Sequence, residues 1–245
     1  MEGSSSTKPY QRILLKISGE SFGKSNPFEM KWINNIAEEV KEAHLANKEI
    51  GIVVGGGNIV RGSELLKHGI KRPIGDYMGM LATVINALAL QDILSNLGVD
   101  AVIMTAREIE GVGETYHYQN CMQYLNSGKV LIFAEGTGSP YFTTDTAAAL
   151  KAAEIGAEVF FKATKVDGVF DKDPVTNPDA SKFEFLTYED VLLNRYRVMD
   201  STAIAFCLDN NLPILIFNLT KKGNFLRASI GENVGTVIKS SQSIK

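Results

Sequence analysis

The sequence predicts an α/β fold: a three-layer α/β/α sandwich around a mainly parallel central sheet. Three observations lead there. Short apolar, β-branched runs alternate with helix-period segments, the pattern of repeated βαβ units. The runs are apolar nearly throughout, as strands covered on both faces must be. No linker, repeat or low-complexity tract interrupts the chain beyond a polar, Ser-rich start. Residues 1–9 are therefore expected to be a disordered tail and 10–245 a single domain.

The first expected strand is Arg12–Ser18. A helix follows, with Trp32, Ile36, Val40 and Ala43 at three- and four-residue spacing. Glu49–Val54 is the second strand. Met78–Leu97 is a long helix, apolar almost all round and ended by Gly98, so it is either deeply buried or meets another subunit. Ala101–Thr105, Val130–Ala134, Val159–Ala163 and Pro213–Asn218 complete the expected strands, with helices at Thr144–Ile155 and Ser201–Asn210. Val166–Glu184 has no clean period and holds Gly168, Pro174 and Pro178, which suggests a hairpin excursion.

Composition excludes several classes of function. A formal net charge of −3, with Lys and Arg dispersed, argues against a nucleic-acid or anionic-membrane surface. No apolar run approaches the roughly 18 residues of a membrane span, and the start lacks a signal-peptide core. Cys121 and Cys207 stand alone and read as reduced structural thiols, so a cytoplasmic location is expected. His44, His68 and His117 have no ligand-spaced partners, and no Gly-x-Ser-x-Gly elbow is present.

In open α/β sheets, ligands bind beyond the carboxyl ends of strands, so the residues after each strand matter most. Lys16-Ile17-Ser18-Gly19 could hold a phosphate, or could be a surface lysine beside a plain turn. Gly19 to Ser25 imitates a P-loop but is one residue short, and Pro27 interrupts the helix a P-loop must open. Gly55-Gly56-Gly57 allows close backbone approach to an anion, with Arg61 nearby. A Rossmann fingerprint fails because Val60 stands where its third glycine belongs. Asp76 reads as a helix N-cap, as an acceptor for ribose hydroxyls, or as both. Gly136 to Asp145 mixes small, hydroxyl and aromatic residues suited to a phosphate or a base, with Thr144 or Asp145 also a candidate N-cap. Lys162 interrupts a buried strand, and Thr164, Lys165 and the acidic Asp171 and Asp173 follow.

RILLKISGE, VVGGGNIVRG, GDYMGMLATVINALA, GTGSPYFTTD, KATKVDGVFDKDP and Val198-Met199-Asp200 together resemble the amino acid kinase superfamily and, within it, bacterial UMP kinases. The likeness runs from Arg12 to about Ile238. It implies a phosphotransferase moving the γ-phosphate of ATP to UMP in pyrimidine nucleotide (CTP) biosynthesis. Lys16, Arg61, Asp145, Lys162 and Asp200 would be catalytic. Lys16, Ile17, Ser18, Gly19, Gly57, Arg61, Thr164, Phe170 and Asp173 would hold ATP. Gly56, Asp76, Thr137, Gly138, Ser139, Pro140, Tyr141, Phe142, Thr143 and Thr144 would hold UMP. The UMP half would span about 10–150 and the ATP half about 151–240. Mg2+ would arrive with ATP and need no dedicated protein ligands. The resemblance further implies a hexamer, inhibition by UTP and, in many members, activation by GTP. The Gly-rich segment of GTP-activated members is short and altered here, Ser21 to Phe28, so weak or absent GTP activation is expected. Two alternatives remain: a relative phosphorylating a carboxylate, carbamate or small phosphate, and a non-catalytic nucleotide-binding regulator.

Overall fold

Alternation along the central strands decides which layer each side chain joins. The computed structural model describes residues 8–23, 26–174, 176–196 and 198–241. Most of the expected tail, and Lys24 and Ser25 of the altered loop, lie outside them. The elements in chain order are β1 (Arg12–Ile17), α1 (Met30–Leu45), β2 (Glu49–Val54), α2 (Gly62–Leu65), α3 (Arg72–Asn96), β3 (Ala101–Thr105), β4 (Glu114–Thr115) and α4 (Tyr118–Asn126). β5 (Val130–Phe133), α5 (Thr144–Glu154), β6 (Val159–Thr164), β7 (Phe185–Thr187), α6 (Tyr188–Leu193), α7 (Ser201–Asp209), β8 (Ile214–Asn218), α8 (Asn224–Ser229) and β9 (Gly235–Lys239) follow. They form one nine-stranded sheet, ordered β4-β3-β5-β2-β1-β6-β8-β9-β7. Its strand pairings are parallel except β8–β9.

The six expected strands are present, with ends shifted by a residue at most. Sequence reading missed β4 and β7, which are too short to carry a recognisable pattern, and β9, whose Gly-Thr-Val-Ile-Lys lacks a continuous apolar run. One face of the sheet presents Ile13, Leu15, Ile17 and Phe161 to α1, α3 and α8. The other presents Leu14 and Phe160 to α5 and α7. Phe161 meets Phe217 and Phe225 edge-on at centroid distances of 5.5 and 5.9 Å, binding β6, β8 and α8 together. Burying each such ring contributes about 1.5–3 kcal/mol. In α1 the buried stripe is Ile33, Ile36, Ala37, Val40 and Ala43, whereas Trp32 is only half-buried, its Nε1 donating to Glu29. The segment after β6 is the expected hairpin: Phe170 bridges Lys182, and Phe183 N donates to Val169 O at 2.8 Å.

Helix α3 starts earlier than its apolar pattern suggests. Pro73 sits in its first turn, where a fixed φ favours the helix and a missing N–H costs nothing. Lys71 is the N-cap, so Asp76 lies inside the helix and cannot cap it. The full helix is long and apolar enough by composition to cross a membrane, which the search for an apolar run missed. Its inner face (Val84, Ala87, Leu90, Leu94) packs into the core, as in an ordinary core helix. Its outer face exposes Ile74, Met78, Leu81, Ile85 and Leu88, a stripe at the three- and four-residue spacing of a helix–helix seam.

Cys121 and Cys207 are fully buried. Burial pushes their thiols up to about 11 and about 12, so neither forms a reactive thiolate near neutrality.

Candidate active site

The centre of the site follows from strand register. β1 and β6 are parallel neighbours with Lys16 directly opposite Lys162. Alternation places both lysines on the α5 face, beside Leu14 and Phe160. Two like charges so placed repel one another. Asp145, in the first turn of α5, lies between them: Lys16 Nζ is 2.8 Å from Oδ1, and Lys162 Nζ donates to Oδ2 at 2.5 Å. The three side chains are 10–13% exposed. Burial works against the charge on Asp145, but the two ammonium groups outweigh it and hold its carboxyl below the usual range. Burial lowers Lys162 from the usual lysine value; Asp145 only partly offsets this, and the charge on Lys16 lowers it further. Two lysines and one carboxylate leave the cluster with one formal positive charge.

Thr143 sets the start of α5. It is the N-cap, its Oγ1 accepting from Asp145 N at 3.1 Å and Thr146 N at 3.2 Å, so neither Thr144 nor Asp145 takes that role. Thr143 Oγ1 also donates to Asp200 Oδ2 at 2.5 Å, and Thr146 Oγ1 to Asp200 Oδ1 at 3.0 Å. Asp200 in turn N-caps α7, accepting from Ala203 N. It orients α5 through hydroxyls and touches neither lysine by hydrogen bond or ion pair.

The glycines after β1 and β2 have separate uses. A Cβ on Gly19 would lie 2.4 Å from Gly57 N, and one on Gly55 2.7 Å from Gly19 N, so these two loops pack backbone to backbone. A Cβ on Gly57 would meet nothing within 4 Å, which leaves this glycine open to the cleft. Ser18 and Ser21 share a hydroxyl contact at 3.1 Å. Arg61 is paired with Glu20, and its Nε donates to Gly57 O at 3.2 Å. Gly57 and Arg61, with Glu20 and Asn58, line a side cavity of about 220 Å³.

Beyond the triple glycine opens a cavity of about 330 Å³, within the size range of small-ligand pockets. Among the expected acceptor residues, Gly56, Asp76, Thr137, Ser139, Phe142, Thr143 and Thr144 line it. Gly138, Pro140 and Tyr141 do not. A Cβ added at Gly138 would lie 2.9 Å from Ala106 Cβ. Tyr141 faces outward, its ring against Arg72, while its N–H donates to Asp76 Oδ2 at 2.9 Å. Arg72 Nε bonds both carboxylate oxygens of Asp76, at 3.0 and 2.8 Å. The lining also includes Arg72, Gly75, Gly79, Met80 and Thr83, which sequence reading passed over. Gly75 was a usable signal, since a glycine inside an apolar helix marks a close backbone approach, and a Cβ there would lie 3.2 Å from Gly62 O. A Cβ on Gly56 would lie 2.6 Å from Gly79 O. Thr143 and Thr144 join this cavity to the Lys16–Asp145–Lys162 cluster.

The remaining expected residues stand apart from this junction. Ile17 buries its side chain in the opposite core layer, and its carbonyl is taken by Gly55 N at 2.8 Å, so it offers no side chain to a ligand. Thr164 turns its hydroxyl to Val166 O and Phe217 O. Phe170 and Asp173 lie out on the hairpin excursion, with Asp173 exposed.

Residues 11–218 match the model of the amino acid kinase family. The chain belongs to that family. Among solved structures, this family member is similar to the UMP kinase from Bacillus anthracis, with 35% identity, a TM-score of 0.92, and coverage of 96% of this chain and 98% of that one. The UMP kinase from Ureaplasma parvum is 36% identical, with a TM-score of 0.88 over 94% and 99% of the two chains. Uridylate kinase from Archaeoglobus fulgidus is 26% identical, with a TM-score of 0.71 over 92% and 99%.

Proposed function

We propose that this chain is a UMP kinase, moving the γ-phosphate of ATP onto the phosphate of UMP to give UDP and ADP. The observation that carries the reading is the buried Lys16–Asp145–Lys162 cluster, one net charge short of neutrality, beside a cavity with a carboxylate at Asp76. Similarity to two UMP kinases at 35% and 36% identity supports the acceptor.

The UMP phosphate is already an anion, so no general base is needed. One of its oxygens forms a bond to the γ-phosphorus while the β–γ bridging bond breaks and its electrons leave with ADP. The obstacles are repulsion between phosphates and the entropy of aligning them. Lys16 and Lys162 meet the developing charge, and Gly19, Gly57 and Ser18 offer backbone and hydroxyl donors along the transfer line. Arg61 reaches the phosphates on leaving Glu20. Asp145 keeps the two ammonium groups at fixed positions, and Asp200 fixes Asp145 through α5. Asp76 accepts from the ribose hydroxyls once Tyr141 N–H and Arg72 yield. Thr164, Phe170 and Asp173 hold the nucleotide end of ATP when the excursion folds over it. Mg2+ arriving with ATP would supply further positive charge. Asp145 and Asp200 are taken up by lysines and hydroxyls, so they offer it no open carboxylate.

On this reading residues 10–150 form the UMP half and 151–240 the ATP half of a cytoplasmic enzyme of CTP biosynthesis, with UTP as feedback inhibitor. A carboxylate or carbamate acceptor is disfavoured because it would face Asp76 and leave most of the cavity unfilled. A coupled ADP-release assay across UMP, CMP, AMP and dTMP is expected to give the highest kcat/KM with UMP. Equal turnover of CMP and UMP, or none with UMP, would sink the proposal.

The exposed α3 stripe supports assembly, and the family resemblance supports a hexamer. Ile85→Glu, placing a charge in the middle of that stripe, is expected to lower the mass found by light scattering. A monomeric wild type at micromolar concentration would refute assembly.

A further inference from the structure

Glu135, immediately after the β5 segment and outside the cavity lining, has three features that do not ordinarily occur together. Its backbone is left-handed, at φ 62°, a conformation that suits glycine and strains most other residues. Its side chain is 2% exposed although it carries a carboxylate. And it is bonded to three separate segments. Oε2 accepts from Arg107 N and Oε1 from Arg107 Nη2, each at 2.8 Å, which ties it to the loop after β3. Its own N–H donates to Thr83 Oγ1 at 2.7 Å, on α3 within the cavity wall. Its carbonyl accepts from Gly138 N at 2.9 Å, closing the turn that begins the loop of residues 136–142.

A glycine would adopt this backbone freely, yet could not reach Arg107. The carboxylate therefore offsets local strain by holding two loops together. Arg107 also lies over the Tyr77 ring at 5.0 Å, next to Asp76 in the chain. Gly138 has no room for a Cβ beside Ala106, so the position of the Ala106–Arg107 segment determines the path of the 136–142 loop.

We propose that Glu135 is a positioning residue for acceptor binding: through Arg107 and Thr83 it holds the loop of residues 136–142 in place at the mouth of the cavity. This rests on reading that cavity as the UMP site, so the test has one readout that depends on the reading and one that does not. Glu135→Gly removes both Arg107 bonds of the clamp, keeps the backbone bonds to Thr83 and Gly138, and relieves the left-handed backbone, so its melting temperature should stay within about 3 °C of wild type. Its UMP KM should rise about tenfold, at the low end for losing charge-assisted hydrogen bonds, with ATP KM unchanged. Amide hydrogen exchange across residues 136–142 should quicken about tenfold, with β3 unaffected. Glu135→Gln, which keeps an acceptor for Arg107 N, should restore UMP KM to within about threefold of wild type. Unchanged loop exchange in Glu135→Gly overturns the proposal whether or not UMP is the substrate. Faster exchange with an unaltered UMP KM, in an enzyme that turns UMP over, overturns the positioning role. A rise in both KM values together with a lowered melting temperature would show a merely structural residue. A wild type inert toward UMP sinks the acceptor reading alone, and the exchange result still decides the clamp.

Discussion

Replacing Lys16 with alanine is expected to lower kcat by about 10²–10³ while leaving UMP affinity nearly unchanged. Lys16 lies on the α5 face of β1 and does not line the acceptor cavity, whose expected UMP contacts lie at Gly56, on α3 and from Thr137 to Thr144, so the substitution removes little acceptor binding. An ammonium aimed at the phosphoryl in flight interacts most strongly when charge has spread onto its oxygens, and that interaction appears in kcat. The fold should survive, because Asp145 keeps Lys162 at 2.5 Å and a direct cross-strand repulsion disappears. Steady-state kinetics with each substrate varied separately, alongside a melting curve, provide the check. Wild-type kcat with a raised UMP KM would show that Lys16 binds the acceptor rather than the transferring group.

Part of this centre was legible before the fold was known, for physical reasons. A lysine in an otherwise apolar strand must find a buried partner or a ligand, and Lys162 announces itself that way, whereas Lys16, at a strand end, read equally as a surface lysine beside a turn. Three consecutive glycines after a strand mark a backbone approach, although Gly55 turned out to serve packing between the loops, Gly56 packing against α3, and only Gly57 faces open space. Long-range pairing was not legible. Nothing in the sequence says that Lys16 stands opposite Lys162, because register is settled by the whole sheet. Asp76 read as a cap because the apolar pattern of α3 begins after its true start at Arg72. Glu135 stayed hidden since a lone Glu before a glycine-rich loop looks like a surface charge; only its left-handed φ and its burial set it apart. The short edge strands β4 and β7 were lost to length, and β9 to its mixed composition.

Asp145→Asn is expected to cost about 3–5 kcal/mol of stability at pH 7, the penalty for leaving buried charge uncompensated when one partner is removed. The amide is nearly isosteric, so packing of α5 against Ala203 and Ile204 in the same core layer is retained and the loss is electrostatic. Its pH dependence gives the sharper test. In the wild type the Asp145 carboxyl lies below 3.8, so its stabilisation is complete above that value and fades only as pH falls further. Lys162 lies below 10.5 in the folded state even with Asp145 present, and loses its largest opposing influence in the variant. The folded variant then binds fewer protons than its unfolded chain as pH rises toward 10.5, so its stability must increase over that interval. Lys16 and Asp200 also face this group, and the Cys207 thiol, pushed up to about 12 by burial, keeps its proton there. Denaturant melts of both proteins at pH 7 and pH 9.5 should show the gap narrowing. A gap that stays constant, or widens, would mean that Asp145 does not hold the two lysines by charge.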